Sequence, residues 1–182
     1  VKIISDRSSD GTPFFLYLAY QNVHEPCEVP EGYVEPYKEK VQDRTRQIYA
    51  GMVAALDEGI GKITAALEES GMLDDTIIVF GSDNGGPLAE PMNGTLATIL
   101  SIENTAAGGG KDMAAGGGKD MDRDKVSCGD GSWNQDTGAT NFPLRGGKLM
   151  LYEGGVRVPG IVHYPRKIKA GSTFDGPFHV SD

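Results

Sequence analysis

The sequence IIVFGSDNGG, residues 77–86, joins an apolar run to a polar turn. The apolar run is typical of a buried strand, and the glycines let the backbone turn tightly after it. In open α/β sheets, ligands gather beyond the carboxyl ends of strands. Asp83 and Asn84 therefore place oxygen atoms where a cation such as Ca²⁺ or Mg²⁺ could bind. A simple turn is the alternative interpretation, because Asp-Asn-Gly sequences favour turns.

A second apolar run, FFLYLAY at residues 14–20, leads directly into QNVHEP and so to His24. Between the two runs, apolar residues recur at helical spacing over residues 48–67, and Gly71 suits the left-handed residue that closes a helix. A strand, a long crossover and a second strand form a βαβ unit. We therefore predict parallel strands at 14–20 and 77–80, whose ends bring the histidine and the Asp-Asn pair to one rim.

The other segments outside the glycine-rich middle of the chain have weaker patterns. Residues 1–12 are polar, and we predict a loop there. Residues 25–39 contain three prolines, which interrupt helices and sheet ladders, so an irregular loop is expected. The run IVHY at 161–164 predicts a further strand.

Residues 87–140 differ from the rest of the chain. The sequence AAGGGKDM at 106–113 is repeated without change at 114–121. Such glycine-rich sequence cannot build a core, so we predict a flexible, low-complexity insertion. Two repeats are also too few for a solenoid, which needs about three stacked units. The chain is thus expected to be one domain over 1–182, interrupted by a disordered insertion at 87–140.

Composition excludes several classes of protein. The formal net charge of −9 argues against nucleic acid as the main partner, since phosphate binding depends on clustered lysine and arginine. The apolar runs are far shorter than the roughly 20 residues needed to cross a bilayer. The chain has 182 residues and begins with Val1, and we expect it to be a piece of a longer protein. Cys27 and Cys128 are too few for a disulfide framework, and free or separately structural cysteines are favoured over a pair.

Two side chains could take part in catalysis. His24 follows an apolar run, and the near-neutral pKa of histidine suits proton transfer to a leaving oxygen. Lys148 follows two glycines in RGGK, where backbone and ammonium could both approach an anion closely. A surface histidine and a solvated lysine are the alternative interpretations. His163 and His179 are expected to be structural. Arg145 and Arg157 are expected to be structural as well, paired with carboxylates such as that of Glu153.

In their order along the chain, these motifs resemble the sulfatase family of the alkaline-phosphatase-like superfamily, in particular the arylsulfatase B, I and J type. The likeness covers about residues 12–86 and 141–182. Each motif is short and weak by itself, but seven motifs in the family's order are strong evidence for the resemblance. The matching motifs are FLYLA (15–19), VHEP (23–26), YAGMV (49–53), LDE (56–58), SDNGG (82–86), PLRGGK (143–148) and EGGVR (153–157).

The resemblance implies an α/β fold, a partial alkaline-phosphatase-like sandwich with a mostly parallel central sheet and flanking helices. It implies that Asp83 and Asn84 bind Ca²⁺, and that His24 contacts the sulfate and assists the leaving group. It also implies that Lys148 holds the sulfate near its bridging oxygen. The substrate would be a sulfated sugar, such as a glycosaminoglycan, or an aryl sulfate. By the same resemblance the protein is expected to be lysosomal or secreted, where the sequon Asn93-Gly94-Thr95 could be glycosylated.

The sequence also departs from the family. Such enzymes use a formylglycine made from the cysteine of a Cys-x-Pro-Ser-Arg motif, and neither Cys27 nor Cys128 lies in one. We expect that nucleophile in a segment preceding these residues, and we expect this chain to be inactive alone. Two alternatives remain open: a related phosphoryl hydrolase, and a non-catalytic relative that binds sulfated glycans.

Limited proteolysis tests the predicted insertion. Trypsin should cut first near Lys111, Lys119 or Arg123, because ordering a glycine-rich segment costs more conformational entropy than its few apolar contacts return. Mass spectrometry of the early fragments identifies the sites. Earlier cuts within residues 48–67 would contradict both the insertion and the helix.

Overall fold

A computed structural model describes residues 1–87, 125–128, 138–176 and 178–179. The backbone divides into two units. Unit 1 contains Val1–Leu18, Glu58–Asp83 and Val158–Asp182, and unit 2 contains Ala19–Asp57 and Asn84–Arg157.

The longest helix confirms the prediction made from apolar spacing. It spans Arg44–Glu69, the third helix of the chain (α3), and its residues belong first to unit 2 and then to unit 1. It closes with a Schellman motif, in which Gly71 has φ 67° and donates its N–H to Glu68 O, while Met72 donates to Leu67 O. No helix within the described ranges has the length and apolar character needed to cross a membrane.

A helix at the start of unit 1 corrects the predicted loop. Residues Lys2–Asp10 form helix α1, which ends at Gly11 with φ 65°. Its single buried residue, Ile4, is 1% exposed and packs in one cluster with Ala66 and Leu67 of α3. The sequence does not predict this helix, because its apolar residues are clustered at the start and show no helical spacing, and the contact made by Ile4 is tertiary.

The sheet of unit 1 contains two of the predicted strands. Strand β2, Ile78–Gly81, pairs antiparallel with β4, Gly160–His163, so that Ile78 lies opposite His163 and Gly81 opposite Gly160. The strands predicted at 77–80 and 161–164 are thus confirmed, each displaced by one residue.

The strand predicted at 14–20 is not present, and the parallel βαβ pairing is therefore wrong for the described residues. A strand needs a neighbour for its backbone hydrogen bonds, and these residues have none in either two-stranded antiparallel sheet. Phe14 packs against the core cluster of unit 1, but the side chains that follow are exposed, with Phe15 91% exposed. The mostly parallel central sheet implied by the family resemblance remains a prediction.

Unit 2 orders much of the proline-containing segment predicted as an irregular loop. Strand β1 is Glu28–Pro30, helix α2 is Glu31–Val34, and a 3₁₀ turn follows at Glu35–Tyr37. Two of the prolines fit here because Pro30 lies between β1 and α2 and Pro36 lies in the first turn of the 3₁₀ helix, where the missing N–H is not needed. The remaining short elements of the described residues are a 3₁₀ turn at Leu73–Asp75, strand β3 at Lys125–Ser127 and helix α4 at Glu153–Val156.

Strand β3 belongs to the segment predicted as an insertion. It pairs antiparallel with β1, with Val29 opposite Val126. Residues 138–140 are also described. The AAGGGKDM repeats and the sequon at Asn93 lie outside the described residues, so the flexibility of 87–140 remains a prediction.

The two cysteines form a disulfide, Cys27–Cys128, which corrects the expectation that they are unpaired. Their Cα atoms are 5.4 Å apart although 101 residues separate them in sequence. Pairing over such a distance leaves no local pattern. Cys27 belongs to the core cluster of unit 2, together with Val29, Val34, Ile48 and Met52.

Glu31 connects α2 to the start of α3. Its carboxylate accepts hydrogen bonds from Lys38 and from Arg44, at 2.6 Å and 2.7 Å, and these donors lower the pKa of Glu31 below its usual value. A lowered carboxyl pKa stabilises the folded state above the unfolded pKa, and that stabilisation is lost as pH falls through the folded pKa. Because 30–46% of each of these side chains is exposed, solvent screens the interaction and its contribution to stability is small.

Two substitutions on α3 test the core assignment. Ile48→Ala should lower the free energy of unfolding by about 2–5 kcal/mol, because Ile48 is 2% exposed and its removal leaves a cavity. Val53→Ala is the matched control on the same helix, and it should cost far less because Val53 is 43% exposed. Urea denaturation measures both. Equal losses would show that unit 2 does not pack as described.

Candidate active site

His24 lies in a loop of unit 2 that is held to α3 by its neighbours. Asn22 Nδ2 donates to Met52 O at 3.3 Å, and His24 N donates to Gln21 O at 2.8 Å, which closes a turn. Val23 packs against the core cluster of unit 2. The loop is therefore attached to α3 and to the core of unit 2, while the imidazole of His24 is exposed to solvent.

A cavity of about 190 Å³ opens beside His24. Its lining combines apolar surface from Val29 and Met52 with the polar residues Gln21 and Glu25. Mixed surfaces of this kind suit ligands with apolar faces and hydrogen-bonding edges.

Lys148 approaches His24 from a second segment of unit 2. The distance from Lys148 Nζ to His24 Nε2 is 3.0 Å. The backbone of this lysine is fixed as well, since its N–H donates to Gly86 O at 2.9 Å. The turn after the Asp-Asn pair thus supports the lysine directly.

Asn141 connects the same turn to the lysine loop, and sequence reasoning gave it no role. Its Oδ1 accepts from Gly86 N and its Nδ2 donates to Gly86 O, both at 2.8 Å. Nδ2 also lies 3.2 Å from Gly146 O. The Asn141 amide therefore bridges the turn at Gly86 and the loop at Gly146. A single asparagine carries no pattern in the sequence from which this role could be predicted.

Close backbone contacts explain the glycine pairs of SDNGG and EGGVR. A Cβ at Gly85 would lie 1.7 Å from Gly154 O, and a Cβ at Gly154 would lie 2.1 Å from Gly146 O. Hydrogen bonds join the same segments, from Gly85 N to Gly155 O and from Gly154 N to Arg145 O. Only glycine permits these approaches.

The hydrogen bonds of His24 define its tautomer. An ammonium group can only donate, so Nε2 accepts from Lys148 through its lone pair. The ring proton is then on Nδ1, which lies 3.0 Å from Glu25 O and donates to it. This arrangement leaves other N–H groups of Lys148 to contact an anion, with the imidazole beside it.

The two residues predicted to bind metal fall in different units. Asp83 is exposed at the end of unit 1, and Asn84 is half-buried at the start of unit 2, where its Nδ2 donates to Gly85 O at 3.0 Å. Carboxylate and amide oxygens are ligands that Ca²⁺ takes, but a complete shell needs about six to eight. Among the described residues, no group of three or more His, Cys, Asp and Glu side chains could hold a metal ion.

The expected structural roles of the arginines fit their contacts. Arg157 Nη1 lies 3.1 Å from Glu153 Oε2, as predicted, in an exposed pair on α4 and the residue after it. The Arg145 guanidinium instead lies over the Tyr152 ring, 4.1 Å from its centroid. His163 is at the end of β4 and is exposed.

Comparison with known families gives a match along the whole chain. The family model described as Sulfatase matches residues 1–182. Arylsulfatase J of Mus musculus is 31% identical over 170 residues, which cover 93% of this chain and 20% of that protein. Steryl-sulfatase of Homo sapiens is 28% identical over 166 residues, covering 91% of this chain and 21% of that protein.

A solved structure is similar as well. The crystal structure of Ps i-CgsB in complex with k-i-k-neocarrahexaose matches with a TM-score of 0.64 and 31% sequence identity, over 93% of this chain and 27% of that one. The chain thus spans about a fifth to a quarter of the length of these relatives.

Substitution of Lys148 tests the contact with His24. In Lys148→Met, the ¹⁵N chemical shift of His24 Nε2 should change, because Nε2 loses the hydrogen bond from the ammonium group, whereas Nδ1–H keeps Glu25 O as its acceptor. Long-range ¹H–¹⁵N spectra of the imidazole measure the change. Lys169→Met, an exposed lysine of unit 1, is the control and should leave the His24 signals unchanged. Unchanged signals in Lys148→Met would contradict the contact.

Proposed function

This chain belongs to the sulfatase family, and we propose that the complete protein hydrolyses sulfate esters. The observation that carries the proposal is the pair formed by Lys148 Nζ and His24 Nε2, 3.0 Å apart within unit 2. A cation and an imidazole at hydrogen-bonding distance suit an ester whose bridging oxygen gains negative charge as its bond to sulfur breaks.

We assign different parts of the reaction to the two side chains. A sulfate oxygen that inserts between Nζ and Nε2 replaces His24 as an acceptor of the lysine hydrogen. Lys148 then stabilises the oxygen that gains charge, which is where a cation lowers the barrier most. Nε2 of His24 holds no proton while it accepts from Lys148, so it must first take one up from solvent. The resulting Nε2–H can then donate that proton to the leaving oxygen.

The proposed metal site uses Asp83 and Asn84. Their carboxylate and amide oxygens have the chemistry of Ca²⁺ ligands, and further ligands would come from elsewhere in the complete protein. When bound, Ca²⁺ would neutralise negative charge on the sulfate. Formylglycine would supply the nucleophile, and we assign that role to no residue of this chain, since Cys27 and Cys128 lie outside a Cys-x-Pro-Ser-Arg motif.

We propose a sulfated sugar, of the glycosaminoglycan kind, as the substrate. A relative 31% identical to this chain was crystallised with k-i-k-neocarrahexaose, which supports a carbohydrate. The cavity beside His24 offers mixed apolar and polar surface for the sugar ring that carries the ester. A secreted or lysosomal location agrees with the disulfide, because disulfides persist in oxidising compartments.

Three variants of the complete protein test these roles. Asp83→Ala and Lys148→Ala should each lower turnover of an aryl sulfate by about 100-fold or more, as loss of one charge-stabilising group does in other enzymes. Asp83→Ala should also weaken Ca²⁺ binding. Glu58→Ala, on the exposed face of α3, is the control and should change stability by no more than about 0.5 kcal/mol and leave turnover normal.

Other outcomes would assign a different function. If Asp83→Ala had normal turnover and normal Ca²⁺ affinity, the metal assignment would be wrong, and SDNGG would be a simple turn. A complete protein that binds sulfated glycan without turnover would be a binding protein, and one that cleaves phosphate esters preferentially would be a phosphoryl hydrolase. The 182-residue chain alone should show no hydrolysis, because the covalent step needs the absent nucleophile.

A further inference from the structure

The disulfide begins three residues after the candidate catalytic histidine. Cys27 follows His24-Glu25-Pro26 and is 9% exposed, in the same core cluster as Val29 and Met52. The chain thus passes from an exposed imidazole to a buried sulfur within three peptide bonds. Any displacement of Cys27 is therefore transmitted to the backbone of the His24 loop.

The other half of the disulfide comes from a distant part of unit 2. Cys128 directly follows β3, and its N–H donates to Cys27 O at 3.0 Å. This bond continues the ladder in which Glu28 lies opposite Ser127. A sheet of two strands with three residues each is marginal by itself, so it depends on the covalent bond and on the packing of Val29 and Val126 in the core cluster of unit 2.

The opposite end of the His24 loop has a weaker attachment. It is the hydrogen bond from Asn22 Nδ2 to Met52 O, at 3.3 Å, together with the packing of Val23. Among the described residues, the imidazole nitrogens form two hydrogen bonds, with Lys148 and with the carbonyl of Glu25. Both contacts need the loop backbone to remain in place.

We propose that Cys27 and Cys128 are positioning residues for His24. Their disulfide fixes the C-terminal end of the His24 loop against β3, and so keeps Nε2 within reach of Lys148 Nζ. Neither sulfur touches the reacting atoms. The consequence for turnover rests on the proposed function, whereas the effect on His24 geometry belongs to this chain alone.

The distinguishing readout is the imidazole of His24. In folded Cys27→Ala/Cys128→Ala, the long-range ¹H–¹⁵N signals of His24 should move toward those of Lys148→Met, while those of His163 in unit 1 should not move. Ile48→Val is the control, since it weakens the same core without cutting the crosslink, and it should retain the wild-type His24 signals. Wild-type His24 signals in the folded double variant would overturn the proposal.

A titration with dithiothreitol covers the case in which the double variant does not fold. Dithiothreitol reduces the disulfide to two thiols and is itself oxidised to a cyclic disulfide. The His24 signals should change at reductant concentrations where the far-ultraviolet circular dichroism is still native. Simultaneous loss of both signals would show that the disulfide only stabilises the fold, and the positioning role would be wrong.

The complete protein separates this proposal from the proposed function. If sulfate esters are hydrolysed, the folded double variant should lose kcat by about tenfold or more, with a smaller change in KM, because misplaced catalytic groups act mainly on the transition state. If no ester is hydrolysed but the His24 signals still move, the proposed function fails and the positioning role stands.

Discussion

The close approach of backbone segments at Gly85, Gly146 and Gly154 is the constraint on which the candidate site depends. A side chain at Gly85 or Gly154 would overlap a carbonyl oxygen of the neighbouring segment, and one at Gly146 would lie 2.9 Å from Cβ of Tyr152. Because the segments touch directly, their hydrogen bonds fix the Gly86 carbonyl, and that carbonyl accepts from Lys148 N. The lysine therefore acquires its position from main-chain geometry, and Asn141 adds a side-chain bridge to the same point.

The candidate site contains a positive charge, that of Lys148, whereas the chain as a whole is negatively charged. The formal net charge is −9, which would repel the anionic sulfate ester proposed as substrate at long range. Binding must then depend on groups near the anion, and solvent ions screen the distant carboxylates beyond about 8–10 Å. A single lysine beside an imidazole is a small cationic site, which explains why a metal ion is expected to supply more positive charge.

Elements with a strong local pattern were predictable. The spacing of apolar residues in α3, and the apolar runs of β2 and β4, identify these elements from short stretches of sequence alone. His24 and Lys148 were identified through motif order, and the structure brings them together.

The failures share one cause, which is contact between residues distant in sequence. Helix α1 depends on Ile4 packing against α3, and Cys27 meets Cys128 across 101 residues. Residues 14–20 show the reverse, since apolar sequence without a partner strand forms no sheet.

Cys27 and Cys128 lie on either side of the glycine-rich repeats, so the parts of the chain before and after the repeats are joined both by the backbone and by a disulfide. A peptide bond broken anywhere between these two cysteines does not release a fragment, because the sulfur atoms still join the two pieces. Such a nicked molecule keeps its mass under non-reducing conditions and separates only when a reductant is added. A cut within the glycine-rich repeats would therefore leave the segments of the candidate site covalently joined, and the one-chain and two-chain forms would have the same covalent connection between β1 and β3.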